Sequence, residues 1–339
     1  MTAAPNGLGV QALLEAVRQG QNLAIARAIT AIENQTSIGV ELSLIARGLR
    51  GQCRTIGVTG PPGAGKSSLI NALLNELLPK YRRIGVLTVD PSSPLSGGAV
   101  LGDRVRMAAH SANPDVFIRS LATRGHLGGV TRTTRAVIDL LAAGGMDLVI
   151  VETVGTGQSE VEVAQLTDVK IVVCAPGLGD EMQAIKAGVL EIADLIVINK
   201  SDLPDAGRTA AHLQAMLHQR GHDERRLALK VSTLNRDGLT TLADAIETRF
   251  GDLVEPMPKT ATDEQNPQAR LADDVASLAA ALIRESLDPR IGKIVGALSR
   301  EEISQSDGAL AAIRVLADQD IRPEAATLSA AAITQRNRH

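Results

Sequence analysis

The chain has 339 residues and a net charge of −3 at pH 7, enough for one large α/β domain with extensions. Aromatic residues make up 1%, with no tryptophan, so there is no stacking platform for single-stranded nucleic acid, and the mixed charge leaves no basic footprint for it either. No apolar run approaches the ~20 residues of a membrane span, and residues 1–7 have neither signal- nor transit-peptide character. The expected location is cytoplasmic. Cys53 and Cys174, far apart in sequence, read as buried free thiols of a reducing compartment.

Residues 8–50 read as helices. Val10, Leu13, Leu14 and Val17 recur at helical spacing, as do Ile25, Ala28, Ile29 and Ile32, then Ile45 and Leu49. No catalytic constellation falls there, so residues 1–50 are taken as a helical extension that packs on the domain that follows or on a partner, packing being favoured. From Thr55 the pattern becomes strand, loop, helix, repeated. Strands are predicted at 55–59, 84–89, 147–151, 169–174, 194–198 and 228–231, with a shorter one near 116–118. Helices are predicted at 66–78, 131–143, 181–190, 205–219 and 238–249. Continuous apolar strands alternating with helices imply a mostly parallel sheet covered on both faces, with ligands at the strands' carboxyl ends. The expected fold is α/β, a mostly parallel central sheet flanked by helices, with helical extensions at both ends. The α/β domain spans 51–250. A Pro- and Asp-containing linker covers 251–267, helices are predicted at 268–289 and 309–317, and 324–333 is Ala-rich; 251–339 thus reads as a linker and a helical arm for self-association or partner binding.

The strongest motif is Gly60-Pro61-Pro62-Gly63-Ala64-Gly65-Lys66-Ser67, set between an apolar strand and a helix start. Glycines let successive N–H groups turn toward an anion, and the helix N-terminus adds free donors. Lys66 would reach the β- and γ-phosphates, and the Ser67 hydroxyl would ligate Mg²⁺. Ser68, in the same turn, joins the nucleotide-binding set. A chance glycine turn is the bland alternative, and the full motif with both flanks argues against it; the expected fold is therefore a P-loop NTPase, with 51–250 as its nucleotide domain.

Strand 84–89 runs into Asp90 and a loop of small residues that ends at Gly102-Asp103. Asp90 and Asp103 are candidate metal or water-orienting carboxylates; their ordinary roles would be a turn residue and a helix cap. The stretch Phe117 to Gly129 carries Arg119, Arg124 and His126, which could line a site or sit in a solvated loop. Strand 147–151 ends in Glu152, followed by Gly155 three positions on. This is a Walker B pattern with Glu for Asp. Glu152 would hold Mg²⁺, and the Gly155 N–H would sense the γ-phosphate. Gln158 could orient the attacking water, though it lies two residues further from the glycine than in Ras-like proteins. Strand 194–198 leads into Asn199-Lys200-Ser201-Asp202, an Asn-Lys-x-Asp guanine-reading motif. Asp202 would accept from guanine N1–H and N2, an arrangement adenine cannot supply. Asn199 would support the loop, and the Lys200 stem would cover the ring. Ser232-Thr233-Leu234 fit the loop whose backbone N–H meets guanine O6.

Together these residues resemble the methylmalonyl-CoA mutase-associated GTPases, the MeaB/ArgK-like family. The resemblance rests most on Asp90-Pro91-Ser92-Ser93 with Gly97-Gly98 and Gly102-Asp103. Glu152 to Glu160 and the stretch from Gly179 to Lys186 add to it. It implies a homodimeric, Mg²⁺-dependent GTPase that acts as chaperone of an adenosylcobalamin-dependent acyl-CoA mutase. Binding and hydrolysis of GTP would gate cofactor loading and protect or reactivate the mutase. By position, Asp90 and Asp103 look like switch I residues and Glu152 like the switch II acid. Gly177 to Lys186 looks like a third switch, with Lys186 as its key charge. Lys66, Asp90, Asp103, Glu152 and Lys186 are then the catalytic candidates. Pro94-Leu95-Ser96 lacks the basic residue often found there, and the C-terminal tail departs most from the family. With no arginine finger assigned in cis, a slow intrinsic rate is expected. An alternative is a nickel- or cobalt-insertion GTPase, which would want clustered Cys and His; His212, His218 and His222 do not share one helical face. A third is a protein kinase acting in amino-acid transport, an older label for relatives.

Overall fold

The computed structural model describes residues 6–47, 49, 51, 53–90, 110, 112–122, 129–153, 166–177, 193–219, 228–253 and 267–318. The predicted helix at 181–190 and the Ala-rich stretch 324–333 lie outside them. Seven parallel strands form one sheet: β1 (Arg54–Thr59), β2 (Ile84–Asp90), β3 (Val116–Ala122), β4 (Leu148–Thr153), β5 (Val169–Cys174), β6 (Leu195–Ile198) and β7 (Ala228–Lys230). Their order is β3-β2-β4-β1-β5-β6-β7, so the chain changes direction across the sheet at β1. That is where the fold rule puts a ligand. The connecting helices are α4 (Lys66–Leu77), α5 (Gly129–Ala143), α6 (Ala206–Gln219) and α7 (Leu239–Asp252), preceded by α1 (Asn6–Arg18), α2 (Asn22–Glu33) and α3 (Ser37–Ala46).

Each face of the sheet has its own core, built almost wholly from aliphatic side chains. On one face α4 and α7 bury Leu69, Leu73, Leu242 and Ile246 against Ile56, Val58, Ile150 and Ile171. On the other, α1–α3 and α5 bury Val10, Ile25, Ile29, Leu42 and Leu141 against Leu87, Phe117, Val149 and Val151. The three N-terminal helices are therefore a layer of the sandwich. Close packing of α2 on α3 requires a glycine: a Cβ on Gly39 would lie 2.1 Å from the Ala31 carbonyl oxygen. Arg83 ties the turn between α1 and α2 to the body, donating to Gly20 O at 3.1 Å, Asn22 Oδ1 at 2.9 Å and Gly144 O at 2.8 Å.

The strand predicted near 116–118 extends to Ala122, which moves Arg119 out of the expected loop. It sits in the sheet's edge strand and pairs with Glu33 at 2.5 Å and Thr30 at 3.1 Å on α2. The single helix predicted over 268–289 is also corrected. Helix α8 (Pro267–Glu285) stops, and α9 (Pro289–Ser299) starts afresh. Pro289 lacks an N–H, disfavours helical backbone in its predecessor and suits a first helical position. Asp288 caps the new helix by accepting from Arg290 N at 2.8 Å. Helix α10 (Gln305–Ala317) comes next and closes a small core of Ile291, Ala312 and Val315 with α9.

Candidate nucleotide site

The loop from Gly60 to Gly65 leaves the carboxyl end of β1 and enters α4. Gly60, Gly63 and Gly65 have φ of 144°, 77° and 87°, which other residues rarely adopt. Two of them are also sterically fixed. A Cβ on Gly60 would meet Val173 O at 2.1 Å, and one on Gly65 would meet Asn199 Nδ2 at 2.5 Å. The loop is thus pressed against β5 and the turn after β6.

Lys66 is buried and folded back on the loop, its ammonium donating to Gly60 O at 2.8 Å and Pro61 O at 3.1 Å. The buried Ser67 hydroxyl donates to Glu152 Oε1 at 2.7 Å. Glu152 is 3% exposed and stands on β4, in register with Val58 of β1 and Thr88 of β2. Asp90 ends the neighbouring β2 at the same edge of the sheet; its side chain lies outside the described residues, as do Asp103, Gly155, Gln158, Lys186 and residues 123–128.

The turn after β6 reaches the loop from the other side. Asn199 is 1% exposed and donates to Ala64 O at 3.0 Å and Gly65 O at 3.3 Å. Its Oδ1 is buried with no partner among the described residues. Lys200, with φ of 55°, stretches to Gly63 O at 2.7 Å. Asp202 faces solvent and accepts from the Ser232 hydroxyl at 2.6 Å. Ser232 is itself buried, accepts from Asn235 N at 3.2 Å and pairs with Asp237 to close its turn. Thr233 and Leu234 form the tip of that turn, Leu234 being 80% exposed. Sequence reasoning valued Ser232 only for its loop; the hydroxyl that fixes Asp202 was missed. A serine at the buried end of a strand, facing an exposed acid across β6 and β7, was its only trace.

The described residues thus bring together the Gly60–Ser67 loop, Glu152 and the Asn199–Asp202 turn. The loop can cradle phosphates, and the two buried oxygen donors Ser67 and Glu152 suit a hard cation such as Mg²⁺. Among the described residues no three His, Cys, Asp or Glu side chains gather as a metal cluster. His212, His218 and His222 have side chains outside the described set. Burial pushes the Cys174 thiol up to about 12, which disfavours the thiolate a soft metal needs.

A parallel sheet with its glycine loop at the switch strand, and the Asn199–Asp202 turn locked to that loop by Asn199, is the arrangement of a P-loop GTPase. The family profile described as methylmalonyl Co-A mutase-associated GTPase MeaB matches residues 25–288, and the chain belongs to that family. A Pyrococcus abyssi protein described as a GTPase is 36% identical over 323 residues, 94% of both chains. GTPase ArgK of Escherichia coli is 39% identical over 68% of this chain and 72% of its own. The mouse methylmalonic aciduria type A homolog, mitochondrial, is 38% identical over 70% of this chain and 62% of its own. The solved structure titled LAO/AO transport system kinase superposes with a TM-score of 0.60 and 26% identity, covering 93% of this chain and 99% of that one. The reaction is hydrolysis of GTP to GDP and phosphate. No helix among the described residues is long and apolar enough to cross a membrane.

Proposed function

We propose that this GTPase serves an adenosylcobalamin-dependent acyl-CoA mutase as its chaperone, gating cofactor loading and protecting or reactivating the mutase. The observation that carries the reading is the family match over residues 25–288; a mouse relative named for methylmalonic aciduria adds to it.

In the proposed mechanism the backbone N–H groups of Gly63 to Ser68 receive the β-phosphate. Lys66 exchanges the Gly60 and Pro61 carbonyls for β- and γ-phosphate oxygens. Ser67 and Glu152, with Asp90 and Asp103, would hold Mg²⁺, which when bound neutralises charge on the phosphate oxygens. Gly155 and Lys186 complete the γ-phosphate end. Asp202, held by Ser232, takes the two guanine donors, while the Lys200 stem covers the ring and Thr233 and Leu234 close the O6 side. Water adds to the γ-phosphorus as the bond to the bridging oxygen breaks, leaving GDP and phosphate. Arg119 is engaged by Glu33 on α2. Turnover of the protein alone is slow in this reading, and the mutase accelerates it by ordering the switches.

The protein works as a homodimer joined through its C-terminal arm. Leu271 and Val275 on α8, and Leu310 and Ile313 on α10, are 57–64% exposed and leave an apolar arm surface for a second copy. The test of the chaperone role is loading of adenosylcobalamin into the apo-mutase, followed by cobalamin absorbance. Loading rates that differ between GTP and a non-hydrolysable analogue are expected. Loading indifferent to both the protein and its nucleotide would sink the gating role.

A further inference from the structure

Helix α8 is held against the body near its two ends. Towards its start, Asp274 receives Arg47 of α3 in a two-pronged contact of 2.9 and 3.2 Å, and Asp273 faces Arg132 of α5 at 3.6 Å. At its end the Glu285 carboxylate accepts from the Ser37 N–H at 3.1 and 3.2 Å. Between these anchors α8 lines the seam with the small side chains Ala276, Ser277 and Ala280, and α5 lines it with Ala136. A cavity of about 370 Å³ remains there. It opens to solvent beside the exposed Ala276, Ala280 and Arg284, and its size falls within the ~300–1,000 Å³ of small-ligand sites. No residue of the phosphate loop or of the Asn199–Asp202 turn lines it.

Its chemistry is two-sided. Ile32, Val40 and Leu44 join the alanines as an apolar wall. The charges around it are not equally matched. Arg47 and Arg132 face aspartates, and Arg135 and the buried Asp139 are engaged as well, whereas Arg284 reaches only the Gln35 backbone and side-chain oxygens, at 3.4 and 3.5 Å. Those lengths exceed the ~2.7–3.2 Å of a good N–H···O bond. Arg284 therefore keeps donor capacity, in the planar fork that suits a carboxylate.

We propose that this seam is a binding slot for a small amphipathic carboxylate, its head on Arg284 and its short aliphatic chain along the Ile32–Val40–Leu44 wall. A chain seated there fills the gap between α8 and the body and so stabilises the docked arm. The inference does not depend on the mutase reading.

The probe is hexanoate added to the full-length protein, with hexan-1-ol and hexylamine as controls, read by saturation-transfer NMR and thermal melting. Hexanoate is expected to bind saturably and raise the melting temperature, with GTP leaving that binding unchanged. Hexan-1-ol should bind about tenfold more weakly or worse, and hexylamine not at all. Arg284→Gln, at an exposed position, should bring hexanoate down to the alcohol's level. Ala280→Leu should fill the slot and abolish binding of both, with GTP binding and circular dichroism as controls for folding. Absence of saturable binding, displacement by GTP, equal binding of acid and alcohol, or binding unaffected by either substitution would each overturn the proposal.

Discussion

The Ser232 hydroxyl at 2.6 Å from Asp202 couples the end of one strand to the carboxylate proposed to read guanine. A hydrogen bond to a charged group contributes ~1.5–3 kcal/mol when sheltered; Asp202 is exposed, so about 1 kcal/mol is the better expectation after solvent screening. Ser232→Ala should weaken GTP binding about fivefold while leaving weak ATP binding unchanged, as measured with fluorescent nucleotide analogues. Glu152→Gln keeps an acceptor for Ser67 but removes the charge beside it. Phosphate release should fall by on the order of 100-fold, with nucleotide still bound. Hydrolysis at the parental rate would remove Glu152 from the proposed machinery. Two further residues set an alkaline limit on stability. Burial raises Cys174 from its ordinary 9.0 to about 12 and Tyr81 from 10.0 to about 12. The folded state keeps both protons after the unfolded chain has released them, so stability is intact below pH 9 and falls as pH rises from about 9 to 12. The urea midpoint should decline over that window, and Cys174→Ala should lessen the decline, in particular the part between pH 9 and 10.

At the scale of the element, what could be read depended on whether local signals and tertiary packing agreed. The central strands were legible as unbroken apolar runs such as Leu148 to Val151, because both faces of the sheet are covered. The edge strand β3 was cut short in the sequence reading because Arg119 and Ser120 interrupt its apolar run. An edge position tolerates them: Arg119 turns to Glu33, and Ser120 accepts from the Thr88 hydroxyl at 2.8 Å. Helix α9 was left unassigned, although Asp288-Pro289 is a start signal and Ile291, Ile294, Val295 and Leu298 have helical spacing. In the nucleotide site, motif spacing exposed the phosphate loop and the Asn199–Asp202 turn. The contacts joining them were hidden, since Asn199 to Ala64 spans many residues and only the fold brings them together. Gly39 tests the packing of α2 on α3. A methyl group there would stand only 2.1 Å from Ala31 O, so Gly39→Ala should cost about 1–3 kcal/mol. The thermal midpoint should drop accordingly, and an unchanged midpoint would mean that the two helices separate freely.

The whole molecule reads as a nucleotide engine with two helical attachments of different character. The N-terminal helices share a core with the sheet and α5, so they move with the engine. The C-terminal arm meets the body through contacts that include the ion pairs Arg47–Asp274 and Arg132–Asp273, partly or largely exposed, and leaves Leu287 and Val295 uncovered. Such pairs are individually weak, which suits an arm that meets a partner. The proposed dimer should become monomeric in Leu310→Glu/Ile313→Glu, as seen by light scattering; a parental monomer would contradict the proposed role of that surface. The central claim is that GTP turnover answers to a mutase. Phosphate release by the purified protein should therefore be measured alone and with each adenosylcobalamin-dependent acyl-CoA mutase of the same organism. The account predicts slow release alone and strong acceleration by one mutase, lost in Glu152→Gln. GTP hydrolysis indifferent to every mutase would leave the GTPase standing and contradict the chaperone.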